Sequence, residues 1–218
     1  MATTNINASK QTYATSGTQT SWSAARNATS SNLHTNYTTT QTSRFDAIMT
    51  LYSAGRGGGS YVVNRSFFFF DTSTVAGTIT AIDLKIYGYL SGGRSVRVAK
   101  STAYNTALNP ISLSPIPYTS AGQTWSAPAT NTLSLNSTAI SDANSNSYLN
   151  LVLVGQLYDY PNSTPGSSLE QTSGIQFAST TTFPKLAITY TPSGYGNDVN
   201  GVASANIANV NGVATANI

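Results

Sequence analysis

A strict alternation of side chains over residues 78–90 limits the fold more than any other feature of this sequence. Ile82, Leu84 and Ile86 occupy one set of alternate positions, and the other set includes polar residues such as Asp83. Because successive side chains of a β-strand point to opposite faces, this pattern predicts a strand with one apolar face. Such strands are typical of antiparallel sheets that pack one face against a core.

Other segments also have strand composition, and turn residues separate them. They are residues 60–70, 95–99, 132–135, 148–154, 174–177 and 185–190. Clusters rich in Gly and Pro, such as residues 57–59 and 161–166, lie between them. Short strands divided by turns predict an all-β, antiparallel sandwich. No helix of more than two turns is predicted, although residues 22–28 and 137–143 can each form one turn.

Four consecutive phenylalanines end the predicted strand at residues 60–70. Phe67 and Phe69 lie on one face of the strand, and Phe68 and Phe70 lie on the other. Both faces therefore need cover, which predicts a central strand or an oligomer contact. We expect Phe69 to be at least largely buried.

The composition indicates a packed protein with few charges on its surface. Only 8% of residues are charged, whereas 13 Tyr, 7 Phe and 2 Trp supply apolar area for a core. The ten Lys and Arg residues are scattered singly, so no nucleic-acid partner is predicted. Neither a conventional signal peptide nor a run of 18 apolar residues is evident, so no membrane contact is predicted.

The residue inventory offers little for catalysis or metal binding. The seven carboxylates lie apart in the sequence, and a glycosidase needs two that face each other. Cysteine is absent and His34 is the only histidine, so a transition-metal site lacks ligands. We therefore predict no enzyme activity, no catalytic residue and no cofactor. A Ca²⁺ site built from oxygen ligands stays an alternative, and Asp71 is expected to organise a turn.

Aromatic residues in or beside predicted loops are candidates for glycan binding, because an aromatic ring can stack on a sugar face. These candidates are Trp22, Trp125, Tyr158 and Tyr160. Packing is the alternative role for each of them, since large aromatic side chains are usually buried and Tyr serves either purpose.

The sequence after residue 191 changes to a hinge and a repeat. Residues 192–196 read PSGYG, and VNGVASANI at 199–207 recurs as VNGVATANI at 210–218. Two copies cannot bury a core, and ordering them costs about 1–2 kcal/mol per residue. We therefore expect the tail to dock on another subunit. Its apolar anchors are Val199, Val202, Ile207, Val210, Val213 and Ile218.

Residues 61–89 (YVVNRSFFFFDTSTVAGTITAIDLKIYGY) resemble the signature of DNRLRE-like jelly-roll domains. That signature is an Arg-x-Phe-x-x-Phe-Asp-x-Ser strand, a short loop and Ile-x-x-Ala-x-Leu-x-Ile-Tyr. Later segments are similar to later parts of the same domain: WSAP at 125–128, LNST at 135–138, IQFAS at 175–179 and PKLAITY at 184–190. The four-Phe run and the Pro-Lys order at 184–185 depart from the pattern. The tail resembles the NGVA-x-ANI repeats at the ends of tailed-phage virion proteins.

The resemblance implies a jelly-roll β-sandwich over residues 20–191. An extended N-terminal arm is expected over residues 1–19, and the hinge and repeat tail occupy residues 192–218. The implied function is that of a structural subunit of a phage particle: a decoration, fibre or tail-associated protein that contacts other virion proteins and forms a homo-oligomer. The alternative is a carbohydrate-binding or adhesion module that recognises a host surface polysaccharide. The expected location is the virion, which is extracellular after host lysis.

Overall fold

The computed structural model describes residues 1–28, 44–55, 59–91, 95–101, 113–166, 169–176, 183–193, 209–210 and 213–214. Most of them lie in antiparallel strands, which confirms the predicted all-β class. The strands are β1 (Ala2–Asn7), β2 (Lys10–Thr15), β3 (Arg44–Ser53), β4 (Ser60–Asp71), β5 (Gly77–Ser91), β6 (Ser95–Ser101), β7 (Leu113–Pro117), β8 (Gln123–Thr124), β9 (Ala129–Ser134), β10 (Tyr148–Gly155), β11 (Leu169–Gln176), β12 (Lys185–Pro192), β13 (Asn209–Val210) and β14 (Val213–Ala214). Within these ranges the helices are α1 (Trp22–Arg26) and α2 (Ser137–Asn146).

Two layers of strands face each other across an apolar core. One layer has the order β1-β12-β5-β9, and the other contains β2, β4, β10, β6 and β7. β3 pairs with β4 and β11 pairs with β5, and the pairing of β3 with β11 joins the layers. In the core, Ile82 and Leu84 of β5 belong to the same cluster as Phe68 of β4 and Leu151 of β10. The arrangement is sandwich-like.

The strand that carries the four phenylalanines is central, as its two apolar faces require. β2 pairs along one edge of β4, and β3 and β10 share the other edge, since Asn64 pairs both with Thr15 of β2 and with Met49 of β3. Phe68 and Phe70 enter the main core, and Phe67 belongs to a second apolar cluster. Phe69 is less covered than its neighbours and stacks on Tyr148, with ring centroids 5.7 Å apart.

Residues 1–19 belong to the sandwich, in contrast to the extended arm that the sequence suggested. β1 pairs with β12 in a continuous register, from Ala2 opposite Tyr190 to Asn7 opposite Lys185. β2 pairs with β4, and Gln19 forms a bridge to β4. The sheet therefore begins at Ala2 and not after residue 20. The alternation in β1 is hard to recognise from sequence, because small and polar residues occupy most of its positions.

α2 is longer than the single turn expected, since its ten residues make nearly three turns. Asn136 caps its start, because the side-chain Oδ1 accepts hydrogen bonds from the backbone N–H of Thr138 (3.1 Å) and Ala139 (3.2 Å). Ala139 and Ala143 form its buried face. Alanines give little hydrophobic contrast, so the amphipathic pattern of a helix is weak here.

The tail is described only in part. β13 and β14 pair with each other in a ladder separate from the main sheet, with Val210 opposite Val213. Four of the predicted anchors lie outside the described residues: Val199, Val202, Ile207 and Ile218. The docking role of the tail therefore stays a prediction.

Candidate functional site

A turn-rich loop at residues 156–166 follows β10 and lies on the outer face of the layer that contains β4. The N–H of Tyr160 donates to the carbonyl of Gly155 (3.0 Å), and the N–H of Ser163 donates to that of Tyr158 (2.9 Å). Asn162 adopts a positive φ of 58° within these turns, a conformation that Asn tolerates better than most residues. The loop carries two of the predicted binding residues.

A buried ion pair anchors this loop. Arg65 of β4 donates from Nε to Oδ2 of Asp159 at 2.7 Å and from Nη2 to Oδ1, and each side chain is 1% exposed. Arg26 of α1 donates from Nε to the backbone carbonyl of Asp159 at 2.9 Å. Burial lowers the pKa of Arg26; the carboxylate of Asp159 opposes this shift and the charge of Arg65 adds to it. The cluster therefore joins α1, β4 and the loop.

Asp159 was not among the residues singled out from the sequence. An arginine at a buried strand position needs a carboxylate partner, because an unpaired buried charge is costly. That argument calls for a partner of Arg65 but cannot choose among seven carboxylates.

Trp22 and Tyr158 meet beside this anchor. Trp22 is 6% exposed and donates its indole N–H to Oδ1 of Asn162 at 3.1 Å. Tyr158 is half-buried and packs against the cluster that contains Trp22 and Val63. Trp22 thus helps to hold the loop, and most of its ring is covered.

The other two candidates lie elsewhere. Tyr160 is half-buried against the second apolar cluster, and the guanidinium of Arg97 lies 4.3 Å from its ring centroid. Trp125 is 2% exposed and belongs to the main core between the layers. In this conformation Trp125 presents no ring face to a ligand, so the packing alternative describes its position.

The sequence reasoning missed Tyr52 and Tyr61, which form a row of aromatic rings with Trp22 next to the loop. Tyr52 of β3 lies opposite Tyr61 of β4, and their rings stack with centroids 4.7 Å apart. The ring of Tyr61 is in turn 6.2 Å from that of Trp22. Tyr52 and Tyr61 are both half-buried. We call these three residues the aromatic row. Strand pairing brings Tyr52 to Tyr61, and the packing of α1 on β4 brings Trp22 to Tyr61; no local pattern reveals either contact.

A second polar cluster links α2 to β6. Asp142 accepts hydrogen bonds at Oδ2 from the hydroxyl of Tyr118 (2.6 Å) and from Nζ of Lys100 (2.9 Å). Burial, and then the hydrogen bond to Asp142, raise the pKa of Tyr118 well above its usual range. Burial opposes a low pKa for Asp142, but the bonds from Tyr118 and Lys100 outweigh it and lower that pKa. Both partners hold the carboxylate in its ionised form.

Asp71 organises a turn, as predicted. Its Oδ1 accepts hydrogen bonds from the backbone N–H (2.9 Å) and the hydroxyl (2.6 Å) of Ser73. These bonds lower the pKa of Asp71. This is the ordinary geometry of an aspartate that stabilises a turn.

Among the described side chains, no group of three or more His, Cys, Asp or Glu residues is placed to hold a metal ion. Neither described helix has the length and apolar character needed to span a bilayer. The chain matches no protein-family model, and no curated protein matches its sequence. The resemblance to DNRLRE-like domains therefore stays a prediction, and so does the function that it implies.

Proposed function

We propose that this protein is a non-enzymatic structural subunit of a phage particle, in the class of decoration, fibre or tail-associated proteins, and that it docks to other virion proteins through its C-terminal tail. One observation carries the proposal. The last strand of the main sheet ends at Pro192, and the described part of the tail pairs only with itself. A near-identical repeat, of which the described strands β13 and β14 lie in a separate ladder, is suited to making repeated contacts with neighbours.

The sandwich provides a body on which such a tail can be displayed. Its main core fills the space between the layers, and the buried pair of Arg65 and Asp159 fastens the long loop to the outside. Its surface carries many hydroxyl and amide groups and few charges, as expected for a particle-bound protein. This supports a location in the virion, and an extracellular one after lysis.

A deletion of residues 193–218 tests the proposal. The sandwich keeps β12 in this variant, so we expect its melting temperature to stay nearly unchanged. We expect the variant to be lost from purified particles, as measured by mass spectrometry against the full chain. A matched control replaces residues 193–198 with a Gly/Ser linker and keeps both repeats, and this control should still be incorporated.

Each other result counts against a specific part of the proposal. If the truncated chain unfolds, the tail belongs to the core. If the truncated chain is incorporated normally, the tail does not dock. If particles contain none of the full chain, the assignment to the virion is wrong.

The aromatic row supports a second candidate function, which is binding of a host surface polysaccharide. The stacked, half-buried rings of Tyr52 and Tyr61 resemble a platform on which a sugar ring can lie. Isothermal titration with the host polysaccharide tests this candidate. Tyr61→Ala should weaken binding at least tenfold, whereas Tyr148→Ala, which removes an exposed ring elsewhere, should not. Equal binding by both variants would exclude this surface.

A further inference from the structure

The first strand and the end of the tail share a sequence. Residues 2–6 of β1 read ATTNI, and residues 214–218 read ATANI, so four of five positions are identical. The first repeat reads ASANI at residues 203–207 and shares the Ala, Asn and Ile. All three segments follow one five-residue pattern: a small residue (Ala or Thr), a variable residue, a second small residue, Asn and Ile.

The structure shows what this pattern does in β1. Ala2, Thr4 and Ile6 are the half-buried positions of the strand, and the residues between them are exposed. Ile6 packs against the main core. The edge of β12 therefore accepts a strand with two small residues and one Ile on its inner face. Both tail segments have residues of the same kinds at the positions that form this inner face, and both have Asn at the position that is exposed in β1.

β1 lies where a similar strand from another copy can replace it. It is the outermost strand of its layer, and within the described chain β1 alone covers that edge of β12. The sequence of β1 has no proline and no charged side chain, which are devices that protect exposed edges. The outermost strand of the other layer, β7, carries prolines at 115 and 117. The layer that ends at β1 lacks this protection.

We propose that residues 214–218 of one copy take the place of β1 beside β12 of a second copy, in the register of β1. This inference deepens the proposed docking role of the tail and rests on it. In that register Ala214 lies opposite Tyr190, Thr215 opposite Thr189 and Ile218 opposite Leu186, as Ala2, Thr3 and Ile6 do in β1. Exchange of nearly identical strands between copies costs little, since similar contacts are broken and made.

The proposed function assigns the exchange to a second copy, because there the tail contacts other subunits. In each copy β1 already fills the edge of β12, so a tail segment pairs there only where it displaces a β1. The contact is heterologous, because the tail of one copy meets the sheet of the next. Such contacts build rings or filaments, as an assembling subunit requires.

Disulfide trapping tests this inference directly, because the chain has no cysteine of its own. A Thr189→Cys chain is mixed with a full-length Thr215→Cys chain that carries a mass tag, and the mixture is oxidised. We expect a heterodimer on a non-reducing gel that reductant reverses. In a reference chain with Thr3→Cys and Thr189→Cys, the observed pairing of these residues should close a disulfide within one copy. The matched control is Ala216→Cys, whose side chain would point inward, and it should give no heterodimer with Thr189→Cys.

Several results would overturn the inference. They are the absence of the heterodimer while the reference disulfide closes, and equal trapping by Ala216→Cys. A chain with both Thr189→Cys and Thr215→Cys that closes only within one copy would show that the tail returns to its own sheet. If the tail deletion abolishes incorporation but no heterodimer forms, the docking proposal stands and the β12 site is wrong.

Discussion

The carboxylate of Asp159 accepts two hydrogen bonds from the guanidinium of Arg65, although the two residues are 94 positions apart in the chain. Both side chains are almost completely excluded from solvent. The pair fixes the loop after β10 to the outer face of β4, where Trp22 and Tyr158 also pack. This buried interaction therefore helps to position the aromatic residues of the loop.

Asp159→Asn should destabilise the protein strongly, because it leaves the buried charge of Arg65 without its partner. We expect a loss of about 3–5 kcal/mol in the free energy of unfolding, measured by urea denaturation. The double variant Arg65→Met/Asp159→Leu should lose less, since no buried charge remains. Lys100→Met is the control: it breaks a partly exposed ion pair and should cost about 0–1 kcal/mol. Equal losses for Asp159→Asn and Lys100→Met would contradict the role of burial.

Phe68→Ala and Phe69→Ala should differ in cost although the residues are adjacent. Phe68 is fully buried in the main core, and its truncation should cost about 3–5 kcal/mol. Phe69 lies partly exposed beside Tyr148, so its truncation leaves less of a cavity and should cost less than half as much. Chemical denaturation of the two variants measures the difference. A larger loss for Phe69→Ala would show that the strand faces are assigned the wrong way round.

The hydroxyl of Tyr118 should set the acid titration of Asp142. A carboxylate whose pKa is lower in the folded state stabilises the protein above its unfolded pKa of about 4, and this stabilisation is lost as the pH falls through the folded pKa. Tyr118→Phe removes one hydrogen bond to the carboxylate and should move the pKa of Asp142 back towards its ordinary value. Carboxyl NMR titration measures this shift. An unchanged pKa would mean that Lys100 alone holds Asp142 ionised.

Asn136→Ala should weaken the start of α2. The side chain of Asn136 caps two backbone N–H groups and also donates from Nδ2 to the carbonyl of Pro117 at 3.0 Å. Loss of an N-cap typically costs about 0.5–2 kcal/mol. Ser137→Ala, at the next and exposed position, should change stability by less than about 0.5 kcal/mol. Thermal unfolding compares the two variants, and equal effects would argue against the cap.

The sequence by itself determined the local features of this protein. The alternation at Ile82, Leu84 and Ile86 predicted the buried face of β5, and these three residues are almost fully buried. The turn at Asp71 and the central position of the strand of phenylalanines were also predictable. Each of these depends on side-chain periodicity or on bonds between near neighbours, and such interactions are visible in a short stretch of sequence.

Tertiary structure alone decided which distant residues meet. Strand pairing placed Tyr52 against Tyr61, and the folded loop gave Arg65 its partner in Asp159. It also brought β1 and β2 into the sheet. Small and polar residues occupy most positions of these two strands, so their sequences lack the hydrophobic contrast that marks a strand. The burial of Trp125 likewise follows from its place between the two layers. These outcomes depend on contacts between residues far apart in the chain, which no local pattern encodes.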